Sequence, residues 1–350
     1  MENQDSSIMI RMVKTMKNYE EDIVNKYSYM QQVFTQSPQK RQRLLLDSGL
    51  GDYISKLMDN AAANQKVIND ILEFNNVSEI EDADENGESN KRTYKLDHDR
   101  LNDCLMQIVR EWSSEGEVDR NPCFKLVQDE LNSHFTENDR EDIVVFVPGC
   151  GLARLPFELA LDGYQVIAND IDYFQVFTGS FIINECTRIN NYRVYPYIHD
   201  LSNRLTSQDV TTPIAFPDIN PSDRPSEFQF QYLPGDFLKV SEDNFEPETV
   251  DAIVTTFFID AAQNVLEYVD KIHTLLKPEG IWINFGGLNY AFDAFEDEDS
   301  VLPLPLEFLK KSIECNFKIL KDEIVQSSYI SAKSMESANL NCTFMVCKKE

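Results

Sequence analysis

Residues 143–170 read IVVFVPGCGLARLPFELALDGYQVIAND. Ile143–Val147 is a short, unbroken apolar run rich in β-branched residues, the pattern of a strand covered on both faces. A turn holding Gly149 and Gly151 follows, then a helical stretch over Leu155–Leu161, then Gly163 and a second strand over Gln165–Ala168. The texture recurs downstream. Phe228–Tyr232, Val250–Phe258 (VDAIVTTFF) and Gly280–Phe285 (GIWINF) read as further strands, and Gln263–Leu276 as a helix. Glu323–Ile330 and Cys342–Cys347 are expected to form an antiparallel pair at one edge of the sheet. Strands alternating with helices predict a doubly wound, mostly parallel α/β domain. In such sheets ligands sit beyond the carboxyl ends of the strands, so the chemistry is to be sought there.

Upstream the pattern differs. From about Met9 to Phe74 apolar and charged residues alternate at helical spacing, broken near Gly49–Gly51, which predicts two or three amphipathic helices. Asn75–Asn90 (NNVSEIEDADENGESN) gathers acids without a Lys or Arg and reads as a solvated loop. Helical segments over Leu96–Trp112 and Asn121–His134 follow. The expected division is a helical region over 1–135, with its acidic loop near 75–90, and an α/β domain over 136–350. The 350 residues carry 32 Lys+Arg against 60 Asp+Glu, a formal charge of −28. That balance opposes nucleic acid as a partner, because such affinity comes from cations at phosphates. No apolar run approaches the roughly 20 residues of a membrane span, and the polar N-terminus lacks a signal segment. A soluble, intracellular protein is expected. Seven scattered cysteines without a C-x-x-C pair read as reduced thiols, and four unpaired histidines make a metal site unnecessary.

The turn after the first strand carries the strongest chemical signal. Two glycines let a ligand approach the peptide groups closely, and Asp170, 21 positions past Gly149, ends the second strand where a carboxylate can accept both hydroxyl hydrogens of a ribose. An ordinary βα turn with a solvated acid is the plain alternative. A dinucleotide site requires a third glycine, and Arg154 stands in its place, which disfavours a nicotinamide-dependent oxidoreductase. An S-adenosylmethionine donor, which has no phosphate to cradle, fits better. Gly235-Asp236-Phe237 follows the next strand candidate. Asp236 there is a candidate for the adenine amino group and Phe237 for the ring, or the pair is a turn acid and a core Phe. At the end of Val250–Phe258, Phe257 and Phe258 are candidates for a pocket floor and Asp260 for its rim. The alternative makes both rings core and Asp260 a helix N-cap.

These segments resemble the carnosine N-methyltransferases, from about Lys17 to the C-terminus. The most specific pieces are VPGCGLARLPFELALDGY (Val147–Tyr164), YPYIHDLSN (Tyr195–Asn203), FPDINP (Phe216–Pro221), TTFFIDAAQNVLEYVD (Thr255–Asp270) and LKPEGIWINFGGLNY (Leu276–Tyr290). The resemblance implies a class I methyltransferase fold with a seven-stranded sheet, S-adenosyl-L-methionine as cofactor, and methyl transfer to the imidazole of carnosine or a related His-containing molecule. It implies donor contacts at Gln107, Arg110, Gly149, Gly151, Asp170, Asp236, Phe237 and Thr256. On the substrate side it points to Asp260, the catalytic candidate, with Phe257 and Tyr290. His199 in YPYIHD is a further substrate candidate, with a structural histidine as its other reading. A homodimer through the N-terminal helices, and a cytoplasmic location with nuclear access, are family expectations.

Two positions depart from the family pattern. Ala291 stands where the family carries a substrate-recognising His, and Ala338-Asn339-Leu340 replaces a run that supplies a Tyr. The donor side is intact while the substrate side has changed. Methyl transfer is therefore expected, to carnosine or a related His-containing molecule, with a non-catalytic cofactor-binding scaffold as the rival class.

Overall fold

The computed structural model of the chain describes residues 2–79, 91–290, 302–328, 334–336 and 338–350. Its helices in chain order are α1 (Glu2–Lys17), α2 (Tyr19–Thr35), α3 (Gln39–Asp47), α4 (Leu50–Phe74), α5 (Lys91–Trp112), α6 (Glu117–His134), α7 (Arg154–Leu161), α8 (Tyr173–Glu185), α9 (Ser207–Thr211), α10 (Phe237–Asn244), α11 (Val265–Leu275) and α12 (Leu306–Ile313). The strands are β1 (Val144–Pro148), β2 (Gln165–Asp170), β3 (Tyr192–Val194), β4 (Ile214–Phe216), β5 (Gln229–Pro234), β6 (Val250–Thr256), β7 (Leu276–Gly286), β8 (Phe317–Ser328) and β9 (Asn339–Lys349). They divide into two units that interleave along the chain. One comprises Met1–Gly116, Ser180–Ser222 and Ser331–Glu336, the other Glu117–Gly179, Asp223–Ile330 and Ser337–Glu350. Among the described residues no helix is long and apolar enough to cross a membrane.

The first unit is built on α4. Ile54, Leu57, Ala61, Ile68, Ile71 and Leu72 recur at three- and four-residue spacing and are buried, a stripe wide enough to pack a helix core. α2 contributes Tyr19, Ile23 and Tyr27 to the same core. The sequence pattern predicted two or three helices up to Phe74, and the structure has four. Pro38 starts α3 and a left-handed Gly49 (φ 87°) precedes α4, so the pattern is cut more often than its periodicity shows. α3 buries none of its residues, and Leu44, Leu45 and Leu46 are exposed. The short β3–β4 antiparallel pair completes this unit. Of the expected acidic loop, residues 80–90 lie outside the described residues.

The second unit holds a seven-stranded sheet in the order β5-β2-β1-β6-β7-β9-β8. All neighbours pair in parallel except β9, which runs against both β7 and β8. The expected edge pair is therefore real, with β9 inserted between β7 and β8. Phe146, Ile253, Trp282 and Met345 point to one face and pack with Phe237 of α10, Val269 and Ile272 of α11, and Leu309 and Ile313 of α12. α6 and α7 cover the other face. Each of these buried side chains contributes about 1.5–3 kcal/mol relative to exposure. The chain steps from β1 outward to β2 and β5, then returns to place β6 on the other side of β1. At such a reversal the connections diverge and leave a crevice at the carbonyl ends.

One polar group crosses this apolar layer. The indole N–H of Trp282 donates to Thr255 Oγ1 at 2.9 Å, and the Thr255 hydroxyl donates to Asn284 Oδ1 at 2.9 Å, all three being buried. Thr255→Val keeps the shape but leaves the indole donor unpaired, an expected cost of about 1–3 kcal/mol. A fall in the urea midpoint at unchanged slope is the expected result. An unchanged midpoint would mean that the network adds nothing to stability.

Candidate active site

The turn after β1 is shaped by left-handed backbone. Gly149 (φ 62°), Gly151 (φ 59°) and Ala153 (φ 61°) alternate through it before α7 begins. Gly149 has a second reason to be glycine, since a Cβ there would sit inside the Phe258 ring. The turn is bonded to the end of β2: Cys150 N–H donates to Asn169 O at 3.1 Å, and Gly151 N–H donates to Asp170 Oδ2 at 2.8 Å. Asp170 Oδ1 accepts the Asp172 N–H at 2.9 Å, so both carboxylate oxygens are oriented by backbone. Tyr232 of β5 donates its hydroxyl hydrogen to Gly151 O. Buried Asn169 joins β2 to β5 by donating to Leu233 O and Gly235 O, each at 2.9 Å. This strap was not singled out from the sequence. Its only trace there is an Asn directly before the strand-end acid.

Asp236 caps α10, its Oδ1 accepting Leu238 N–H at 3.0 Å and Lys239 N–H at 3.1 Å. Phe237 is enclosed by Phe146, Phe258 and Tyr268. The core Phe weighed for this pair is observed, and the acid weighed as a turn residue is the N-cap of α10. Thr256 is the half-buried last residue of β6, and the next residue turns sharply. Phe257 takes φ 50°, an uncommon and costly conformation for a bulky residue. Its N–H donates to Phe285 O at 2.8 Å and its ring meets Phe285 edge-on. Phe258 turns inward to stack on Tyr268.

Asp260 does not cap a helix. It sits within the 3-10 turn Ile259–Ala261, and Asn264 caps α11 by accepting Leu266 N–H at 3.1 Å. Asp260 Oδ2 instead accepts the N–H of Asn289 at 2.7 Å. Burial pushes its pKa above the usual carboxylate range, and the backbone N–H groups of Asn289 and of Asp260 itself only partly offset the shift. Tyr290 donates its hydroxyl hydrogen to Leu304 O at 2.9 Å, and Tyr290 and Cys342 both feel the Asp260 charge. Cys342 and the Asn289 N–H are neighbours that sequence reasoning missed, because both depend on how β7 and β9 end.

The second unit thus gathers Gly149, Gly151, Asp170, Asp236, Phe237, Thr256, Phe257, Asp260 and Tyr290 at the carbonyl ends of its parallel strands and the loops that leave them. Gln107, Arg110 and His199 belong to the first unit. Gln107 Nε2 donates to buried Glu111 Oε1 at 2.5 Å, one turn along α5, and half-buried Arg110 shares that helix. Burial lowers the His199 pKa to about 4, with Lys26 adding to the effect.

A family model described as carnosine N-methyltransferase matches residues 88–350. The chain belongs to the carnosine N-methyltransferase family. It is 34% identical over 347 residues to the carnosine N-methyltransferase of Mus musculus, covering 97% of this chain and 85% of that one. The Rattus norvegicus enzyme is 33% identical with the same coverage. The Drosophila melanogaster carnosine N-methyltransferase unmet is 34% identical over 249 residues, or 70% of this chain and 54% of that one. Membership makes the protein a methyltransferase and its sheet a class I methyltransferase sheet, and neither the oxidoreductase nor the scaffold is favoured. Ala291, one of the two departures from the family pattern, lies outside the described residues. Asn339 and Leu340, in the other, open β9 opposite Ser328 and Ser327.

The raised pKa of Asp260 has a thermodynamic sign. Folding favours its neutral form, so stability is greatest below the unfolded carboxylate value and declines as pH rises through the higher folded value. Asp260→Asn removes the ionisation while keeping an oxygen for Asn289. The variant is expected to melt above the wild type at pH 8, with the difference narrowing toward pH 4. Equal melting temperatures at pH 8 would show that the carboxylate carries no burial penalty.

Proposed function

We propose that the protein transfers the methyl group of S-adenosyl-L-methionine to an imidazole nitrogen of carnosine or a related His-containing small molecule. The observation that carries this reading is Asp260, a largely desolvated carboxylate beyond β6 in a member of this family. The same reading places the enzyme in the cytoplasm with nuclear access, as a homodimer through the N-terminal helices. Its net charge of −28 opposes nucleic acid or an anionic membrane as partner.

The residues present fit the donor. Gly149 and Gly151 put no side chain over the turn, and Asp170 is held as an acceptor where ribose hydroxyls are to be read. Arg154, at the position where a dinucleotide site needs glycine, is buried and donates from Nε to Glu158 Oε1 at 2.7 Å. It is committed within α7 rather than offered to a phosphate. The bound donor supplies a methyl group activated by a sulfonium.

Asp260 acts on the acceptor. A neutral imidazole attacks through its unprotonated nitrogen, and the carboxylate accepts a hydrogen bond from the ring N–H on the other side. That bond fixes the reactive tautomer and opposes the positive charge that grows on the ring during transfer. A partner charge also favours the unreactive imidazolium. Two features limit that cost. Burial makes the carboxylate itself a better proton acceptor than an exposed one, so it can take the N–H proton once the ring is methylated. Fixed geometry supplies the rest, since holding the reacting atoms in line needs no further acid–base group.

Asp260→Ala is expected to lower turnover at least about tenfold while donor binding by calorimetry is unchanged. Methyl-labelled donor incubated with a panel of imidazole dipeptides identifies the acceptor, and carnosine or a close relative is expected to become labelled. Wild-type turnover in Asp260→Ala would remove the residue from the site. A panel without labelled product would overturn the imidazole as acceptor.

A further inference from the structure

The loop between β3 and α9, within the first unit, is pinned by side chains that bond to its backbone. Asn64 of α4, fully buried, accepts the Tyr195 N–H at 2.8 Å and donates to Tyr195 O at 3.0 Å. Tyr27 of α2 donates its hydroxyl hydrogen to Ile198 O, and Lys26 donates to His199 O. A loop clamped at three successive places presents its side chains in fixed positions.

Those side chains do not satisfy one another. His199 Nδ1 is shielded from solvent and has no hydrogen-bond partner among the described residues. The same holds for Nε and Nη1 of Arg204, five residues on, whose guanidinium lies 4.4 Å from the centre of the Tyr197 ring. No acid pairs with Arg204 among the described residues. Nearby Glu336 is held by Asn203 Nδ2 at 2.9 Å, and Asp200 accepts the Ser202 N–H at 2.8 Å. The groups form one electrostatic neighbourhood. Lys26, Arg204 and Asp200 all act on His199, Arg204 acts on Tyr53, and Tyr53 and Asp200 act on Tyr27. Arg204 is half-buried, yet two of its nitrogens are shielded from water without an acceptor, an unfavourable state that here occurs in a chain with nearly twice as many acids as bases.

We infer that Arg204 and His199, walled by Tyr27, Tyr53 and Tyr197, bind the carboxylate of a small organic acid. A carboxylate matches the charge. Of the charged groups that act on His199, Lys26 and Arg204 against Asp200 leave one positive charge, with the imidazole neutral near pH 7, and a monoanion balances it where a phosphate dianion does not. The tyrosine rings suit an organic body over a bare inorganic ion. The inference does not rest on the identity of the methyl acceptor.

The test uses the full chain, at constant ionic strength in chloride, with N-acetylglycine as the carboxylate probe, N-acetylglycinamide as its neutral analogue, and inorganic phosphate. N-acetylglycine is expected to raise the melting temperature by about 2 °C or more at tens of millimolar, as a ligand binding only the folded state must. The amide is expected to give no shift, and phosphate less than the carboxylate. Arg204→Met should melt no lower than the wild type in chloride, because it deletes two shielded nitrogens that lack an acceptor, and should lose the response. Should Arg204→Met fail to fold, Arg204→Lys keeps the cation and is expected to bind the probe at least about fivefold more weakly by calorimetry. An equal shift with the amide, a response to phosphate alone, or full binding in either variant would overturn the inference.

Discussion

The hydrogen bond from Gly151 N–H to Asp170 is the constraint on which the closure of the glycine turn depends. A turn with three left-handed residues has many ways to close, and most would leave its peptide groups pointing to solvent. Tying one of them to the acid that ends β2 selects a single closure. Asn169 then fixes β2 against β5, so the acid, the glycine turn and the end of β5 move as one body. Preorganisation of this kind matters more for methyl transfer than for reactions with elaborate proton traffic, because alignment is most of what the protein contributes.

Three acids stand near strand ends, and their environments separate them. Asp170 has both oxygens oriented by backbone N–H groups. Asp236 spends one oxygen on the first turn of α10, a half-buried arrangement that any N-cap shares. Asp260 is largely desolvated, and the Asn289 N–H it accepts does not make up for the water it has lost. A fold has no reason to hold a carboxylate in that state for stability, since its ionised form weakens the native structure. The arrangement makes sense where a positive charge develops beside it.

This ranking of the acids was not legible in the sequence, whereas the sheet was. Ile143–Val147 and Val250–Thr256 are β-branched runs whose burial on both faces follows from composition alone, and they occupy the central positions β1 and β6. Asp236 and Asp260 each follow a strand and precede a helix, so local pattern allowed a cap at both. Only burial and the path of β7 into Asn289 distinguish them, and both are long-range properties. The exposure of Leu44–Leu46 escaped for the same reason, because periodicity reports an apolar face without reporting whether anything covers it. The interleaving of the two units is likewise invisible locally. Ser180–Ser222 joins the helices of the first unit through contacts such as Asn64 with Tyr195, 131 positions apart.

The two ends of the site are joined by one backbone irregularity. Phe257 leaves β6 with positive φ, and Gly286, at the end of neighbouring β7, makes room for it: a Cβ at Gly286 would lie 3.0 Å from the Phe257 nitrogen. The kink carries Phe258 inward, where its ring occupies the space a side chain at Gly149 would need, and sends Asp260 out to meet Asn289. Strain of about 1–2 kcal/mol at a single residue thus fixes the exit of β6 relative to the glycine turn of β1. Moving either strand end disturbs the contact of Phe258 with Gly149. The glycine turn and the carboxylate are therefore one packing unit, although 111 residues of sequence separate Gly149 from Asp260. That coupling explains why a bulky aromatic is tolerated in a conformation that suits glycine: the alternative, a relaxed strand end, would leave Gly149 without its ring and Asp260 without its place.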